Sequence, residues 1–177
     1  MISLRLANKN DAAELGNLYY LYCQDMYGDY LNQGVNNTLT VEDCINKFKE
    51  TKCTDVIVGT FDNKIVGFCS FGKCKDKEAM PNTGEIYQLY VMDDYRLKGD
   101  GRRMLHEAIR ILTREEYDSV VTKCLSNQDG VIRFYENVGF KDTFDEYPLH
   151  DDVNIKVFFK FIICNSCYVF CQIPILN

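Results

Sequence analysis

The sequence predicts one layered domain of mixed α and β structure, an α/β (α+β) fold with helices covering a central sheet. Three observations carry that reading. Apolar residues recur at helical spacing in four segments, seven short β-rich runs lie between and around them, and no repeat, linker or low-complexity tract divides the 177 residues. A chain of this length buries enough surface to fold without a disulfide or a metal.

The elements follow in order. "ISLRLA" (2–7) alternates as a strand. In "DAAELGNLYYLYCQDMY" (11–27) Ala12, Leu15, Leu18, Tyr19, Tyr22 and Met26 fall on one helical face, with Asn10 or Asn8 available as cap. "GDYLNQGVNNTLT" (28–40) is polar, holds two glycines and reads as a loop. Thr40 followed by Asp43 resembles a capping box, with Asp in place of Glu, and starts a second helix near 41–50. "DVIVGTF" and "KIVGFCSF" flank Asp62-Asn63, a hairpin signal across 55–71. "EIYQLYVM" (85–92) is a strand. The next helix spans about 100–115, with Met104, Leu105, Ala108, Ile109 and Leu112 on its apolar face. "SVVTKCL" (119–125) is a strand, and "DGVIRFYENV" (129–138) a short helix ended by Gly139. "FKDTFDEY" and "VNIKVFFKFIIC" complete the order β-α-α-β-β-β-α-β-α-β-β.

Composition narrows the function. A net charge of −6 argues against a broad nucleic-acid-binding surface and suits an amine-bearing partner. Nine cysteines, an odd number lying mostly singly within apolar elements, fit reduced thiols in a cytoplasmic protein, and the N-terminus lacks a signal-peptide core. The domain is placed at 1–163, with an apolar C-terminal tail at 164–177. Lys160, Asn165, Ser166, Gln172 and Pro174 interrupt that apolar stretch, which argues against a membrane span and leaves a packed tail or a homodimer contact open. Cys164, Cys167 and Cys171 lack a fourth local ligand, so no metal site is assigned. His106 and His150 have no spacing partners, and a Ser-His-Asp hydrolase lacks support.

The chemistry concentrates in "YRLKGDGRRML" (95–105), between a strand and a helix. A Walker loop needs Gly-Lys-Ser/Thr, and Gly101-Arg102-Arg103 stands there instead. A dinucleotide fingerprint needs a small residue where Met104 sits. The pattern Gln/Arg-x-x-Gly-x-Gly/Ala is met at every fixed position by Arg96-Leu97-Lys98-Gly99-Asp100-Gly101. Successive backbone N–H groups at a helix start form a donor cup for a pyrophosphate. Four cations and one anion in 96–103 add positive charge.

This segment resembles the acyl-CoA loop of the GNAT superfamily of N-acetyltransferases, and the resemblance covers roughly residues 2–160. "VIRFYENVGF" (131–140) is similar to the family's late helix motif at Phe134, Tyr135, Gly139 and Phe140. Val131 replaces the family alanine, and Gln128 stands where the family often has Asn, with Asn127 one residue earlier. The resemblance implies a mixed, mostly antiparallel central sheet flanked by helices. It implies acetyl-CoA as cosubstrate, held by Arg96, Leu97, Lys98, Gly99, Asp100, Gly101 and Arg102. Backbone groups of Leu89, Tyr90 and Val91, where the strand splays from its neighbour, and Asn127 or Gln128 would hold the pantetheine arm. Tyr135 is the candidate acid for the departing thiolate and Glu85 the candidate base for the amine, with packed tyrosine and surface carboxylate as their plain structural alternatives. The expected activity is direct acetyl transfer to a small-molecule or peptide amine; an acyl-CoA sensor or inactive GNAT-like module is the rival. For the acceptor, the tyrosines of 18–34 with Asp25 and Asp29 either bind a cationic amine or serve as core and solvated loop.

Overall fold

The computed structural model describes residues 2–31, 39–150 and 153–162. The tail at 164–177 with its three cysteines, most of the 28–40 segment and the side chains of Asp29 and His150 lie outside the described residues. In chain order the strands and helices are β1 (Ser3–Leu6), α1 (Ala12–Leu31), α2 (Val41–Glu50), β2 (Val56–Phe61), β3 (Lys64–Lys73), β4 (Thr83–Val91), α3 (Asp100–Arg114), β5 (Ser119–Leu125), α4 (Asp129–Asn137), β6 (Lys141–His150) and β7 (Val153–Phe161). They build a seven-stranded sheet ordered β1-β2-β3-β4-β5-β7-β6. Only β4 and β5 pair in parallel. The expected mixed, mostly antiparallel sheet flanked by helices is the fold observed.

Local chemistry sets most boundaries. Asp62 and Asn63 both take left-handed backbone angles, φ 47 and 63, as a two-residue hairpin turn requires. Thr40 and Asp43 cap α2 reciprocally, each side chain accepting the other's backbone N–H. Gly139, at φ 89, follows the end of α4. Asn8 caps a 3-10 turn at Lys9–Asp11 that leads into α1. There the Asp11 carboxylate takes two hydrogen bonds from Arg5, at 2.7 and 2.9 Å, tying β1 to the helix start. That pairing, with the Asn8 N–H, holds the Asp11 carboxyl below its ordinary pKa against the opposing effect of burial.

One boundary departs from the sequence reading. The loop expected from Gly28 begins later, because α1 runs through Gly28 to Leu31. A mid-helix glycine costs about 1 kcal/mol relative to alanine. Tyr27, edge-on to Tyr22 with ring centroids 6.3 Å apart, keeps the last turns packed against the preceding ones.

Two apolar layers sandwich the sheet. Met104, Leu105, Ala108 and Leu112 of α3 pack with Tyr135 of α4 against Ile57, Val66, Cys69, Ile86 and Val120. On the opposite face, Leu15, Leu18, Tyr22 and Phe48 from α1 and α2 pack against Val58, Phe68 and Tyr90. The β3–β4 register jumps from Ser70↔Gln88 to Phe71↔Ile86, leaving Tyr87 as an extra residue. Ile86 and Leu89 consequently join the same layer despite their odd spacing, while Tyr90 joins the other. Among the described residues no helix is long and apolar enough to cross a membrane.

Two leucines test this packing. Leu105 is fully buried and Leu97 fully exposed. In urea unfolding, Leu105→Ala is expected to lose about 2–5 kcal/mol, whereas Leu97→Ala changes stability by about 0.5 kcal/mol or less.

Candidate active site

The site begins where β4 and β5 part. Their pairing runs only from Thr83↔Ser119 to Ile86↔Thr122. Beyond it β4 continues to Val91 against β3, and β5 to Leu125 against β7. The expected splay at Leu89, Tyr90 and Val91 is therefore present, with one edge of β4 left unpaired by β5. Backbone groups on such an edge need partners from elsewhere.

The glycine segment lies at the end of this opening. Leu89, Val91, Arg96, Leu97, Gly99, Gly101, Arg102 and Phe134 line a groove of about 340 Å3. The first intrahelical bond of α3 runs from the Arg103 N–H to the Gly99 carbonyl at 3.1 Å. The N–H groups of Asp100, Gly101 and Arg102 precede it and remain donors at the positive end of the helix. Gly99 has φ 84, and a Cβ there would meet nothing within 4 Å; at Gly101 it would meet only Val91 Cγ2, at 3.8 Å. The space beside both glycines is open, which fits a ligand approaching the backbone closely. Leu97, at φ 63, adds a strained non-glycine residue to the same turn, with its side chain in solvent.

The side chains here are less free than their sequence suggests. Arg96 donates from Nε to the Val91 carbonyl at 2.6 Å and pairs through Nη1 with Asp93 at 2.6 Å. Its Nη2 stands 3.8 Å from Asp25, whose carboxylate also accepts the Tyr90 hydroxyl at 2.6 Å. Lys98 donates to the Asp94 carbonyl at 2.9 Å. Asp100 turns inward: it is 2% exposed, and its Oδ1 accepts Arg103 at 2.6 Å while Oδ2 has no partner. Asp100 thus offers the groove only its backbone, and Arg96 and Arg103 are largely neutralised by their own neighbours. Arg102 and Lys98 carry most of the remaining local positive charge.

Tyr135 and Glu85 lie beside the end of the β4–β5 pairing. Tyr135 is 5% exposed, with its ring stacked on Phe158 at 6.3 Å and edge-on to Phe140 at 5.5 Å. Burial raises its hydroxyl pKa, and a hydrogen bond with the Thr122 side chain opposes that shift in part. Thr122 belongs to the last β4–β5 pair and donates to the Ile86 carbonyl at 3.3 Å. The phenol is thereby anchored at the fork and stays protonated at neutral pH. Glu85 lies one residue before Ile86 and is 7% exposed, which overturns the reading as a surface carboxylate. Its Oε2 accepts the Lys75 N–H at 3.0 Å, and its Oε1 stands 3.8 Å from Lys123 Nζ.

Sequence reasoning gave Phe134 only a place in the late helix motif and missed Lys123. Phe134 walls the groove, and Lys123 pairs with the buried glutamate. A lone lysine inside the apolar run "SVVTKCL" was the available signal for the latter. Of the two candidates ahead of α4, Asn127 is exposed, whereas Gln128 donates from Nε2 to Met26 Sδ at 3.3 Å and keeps a buried Oε1 without a partner. The tyrosine cluster also differs from a cation pocket. Tyr19, Tyr22, Phe48, Phe68 and Tyr90 pack ring against ring, and Asp25 is already engaged by Tyr90.

The model of the acetyltransferase (GNAT) family matches residues 16–140. The uncharacterized N-acetyltransferase YuaI of Bacillus subtilis is 21% identical over 137 residues, 77% of this chain and 78% of that protein. Among solved structures, yncA from Salmonella typhimurium with its cofactor acetyl-CoA superposes with a TM-score of 0.71 at 19% identity, covering 91% of this chain and 94% of its own. The ribosomal-protein-alanine N-acetyltransferase of Brucella melitensis does so with a TM-score of 0.72 at 18% identity, covering 90% and 99%. With most of its length matched by the family model and its sheet forked beside a glycine-rich helix start, the chain belongs to the acetyltransferase (GNAT) family.

Proposed function

We propose that this acetyl-CoA-dependent N-acetyltransferase moves the acetyl group directly to a primary amine bound alongside the donor, with Glu85 as base and Tyr135 as acid. The observation that carries the reading is the fork after Ile86↔Thr122, with a buried carboxylate and a protonated phenol beside it. Acetyl-CoA supplies a thioester carbonyl for the amine to attack and a thiolate that departs.

The chain's own groups meet the demands of that reaction. The free N–H groups of Asp100, Gly101 and Arg102, with the Arg102 side chain, would take the diphosphate. The unpaired edge of β4 at Leu89, Tyr90 and Val91 would pair with the pantetheine amides. Gln128 suits that arm better than Asn127, because its buried Oε1 lacks a donor. An N–H on the same edge can stabilise charge developing on the carbonyl oxygen.

An alkylamine has a pKa of about 10.4 and must lose a proton before attack. Glu85 would take it, with its Oε2 held by the Lys75 N–H and its Oε1 facing Lys123 Nζ. Tyr135, kept protonated by burial, would return a proton to the thiolate.

Three substitutions test the assignment. Gly101→Glu puts a carboxylate into the donor cup and is expected to raise the acetyl-CoA Kd at least ~10-fold by calorimetry, with little change in the urea midpoint. Tyr135→Phe should lower kcat about 100-fold while leaving the acetyl-CoA Kd unchanged; equal turnover removes the acid role. Glu85→Gln should also lower kcat about 100-fold. Its deficit should shrink with acceptors of low amine pKa, which need less help losing a proton.

A further inference from the structure

On the face of the sheet covered by α1 and α2, a small cavity of about 130 Å3 is lined by Lys47, Thr51, Asp55, Ser70, Lys75, Tyr87 and Gln88 with two phenylalanines. Two ammonium groups share its wall in a chain of net charge −6. Each is propped on an aromatic ring: Lys47 Nζ lies 3.6 Å from the centroid of Tyr19, and Lys75 Nζ 4.2 Å from that of Tyr87. Among the described residues neither has a carboxylate within ion-pair distance. Asp55, the one anion of the lining, accepts the Thr54 hydroxyl at 2.9 Å. Ser70 and Gln88, hydrogen-bonded to each other, add polar groups to the wall. Burial lowers the pKa of Lys47, and the neighbouring Lys75 charge lowers it further.

The cavity adjoins the reaction centre. The Lys75 side chain lines it while the Lys75 N–H donates to Glu85, and Tyr87 and Gln88 follow Glu85 on β4. We propose that this cavity is the subsite for an anionic group on the acetyl acceptor: a carboxylate carried a few bonds from the reacting amine, as in an amino acid. The inference rests on the reading of Glu85 as the base. Lys47 and Lys75 would clasp the carboxylate, while the amine points along β4 toward Glu85 and the fork. The tyrosine-rich α1 layer then serves as support for Lys47 and not as a cage for a cation. Charge-assisted bonds from the half-buried Lys47 and the exposed Lys75 would favour such an acceptor.

The test uses the full chain with acetyl-CoA and a series of amino acids, each paired with its own carboxamide, with rates referred to the unprotonated amine. The expected kcat/KM ratio of carboxylate to carboxamide is at least about tenfold in the native protein. It should fall toward one in Lys47→Met/Lys75→Met and be retained in Lys47→Arg. A native ratio at or below one, or a ratio unmoved in a folded double variant, overturns the proposal. Calorimetry on the native protein saturated with CoA supplies a readout that needs neither turnover nor a variant. N-acetyl-L-alanine should bind at least about tenfold more tightly than N-acetyl-L-alaninamide, and equal binding overturns the subsite. Carboxylate preference in calorimetry without transfer to any amine would overturn the roles of Glu85 and Tyr135 while upholding the subsite.

Discussion

The short pairing of β4 with β5 is the constraint on which the site depends. Four residues of each strand form the parallel ladder before the strands separate. Unpaired backbone inside a fold is costly unless another group satisfies it. This sheet sustains the gap because β3 and β7 hold the outer edges of the two strands and the α3 and α4 side chains fill the layer beneath. The extra residue at Tyr87 lies one position past the last pair, where it re-aims the rest of β4. A continuous ladder to Val91 would leave no backbone edge for a donor arm and no fork for Tyr135 to underlie.

Electrostatics at the glycine segment follows the same economy. Two of the four cations in "RLKGDGRR" are held by carboxylates one short turn away, Arg96 by Asp93 and Arg103 by Asp100. These pairs fix the loop's shape, and the backbone N–H groups of the helix start provide the oriented positive field. Arg96 also bridges the two halves of the site. Its guanidinium touches the Val91 carbonyl at the fork and stands near Asp25 of α1, which in turn holds Tyr90. Burial and the bond to Asp25 push the Tyr90 hydroxyl up to about 12, so it remains a donor in that link.

On the opposite face, aromatic packing and charge divide the work. The rings of Tyr19, Tyr22, Phe48, Phe68 and Tyr90 form a rigid layer. Beside that layer Lys47 lies over Tyr19, and Lys75 lies over Tyr87 of β4. The net charge of the whole chain does not set the sign at such a place: a cavity responds to the charges within a few ångströms, and those farther off are screened.

The sequence by itself determined the element order, the hairpin at Asp62-Asn63, the cap of α2, the buried face of α3 and the glycine pattern. Each of these is a local rule, legible because turn angles, caps and helical periodicity act within a few residues. Tertiary structure alone decided where β4 and β5 part, that Asp100 turns inward, that Gln128 keeps a buried orphan oxygen, and that Glu85 of β4, Lys123 of β5 and Lys75 of the β3–β4 loop meet. Those facts depend on register and on contacts between residues far apart in the chain. No short-range pattern encodes them, since the same lysine or glutamate is tolerated equally well on a solvated strand end.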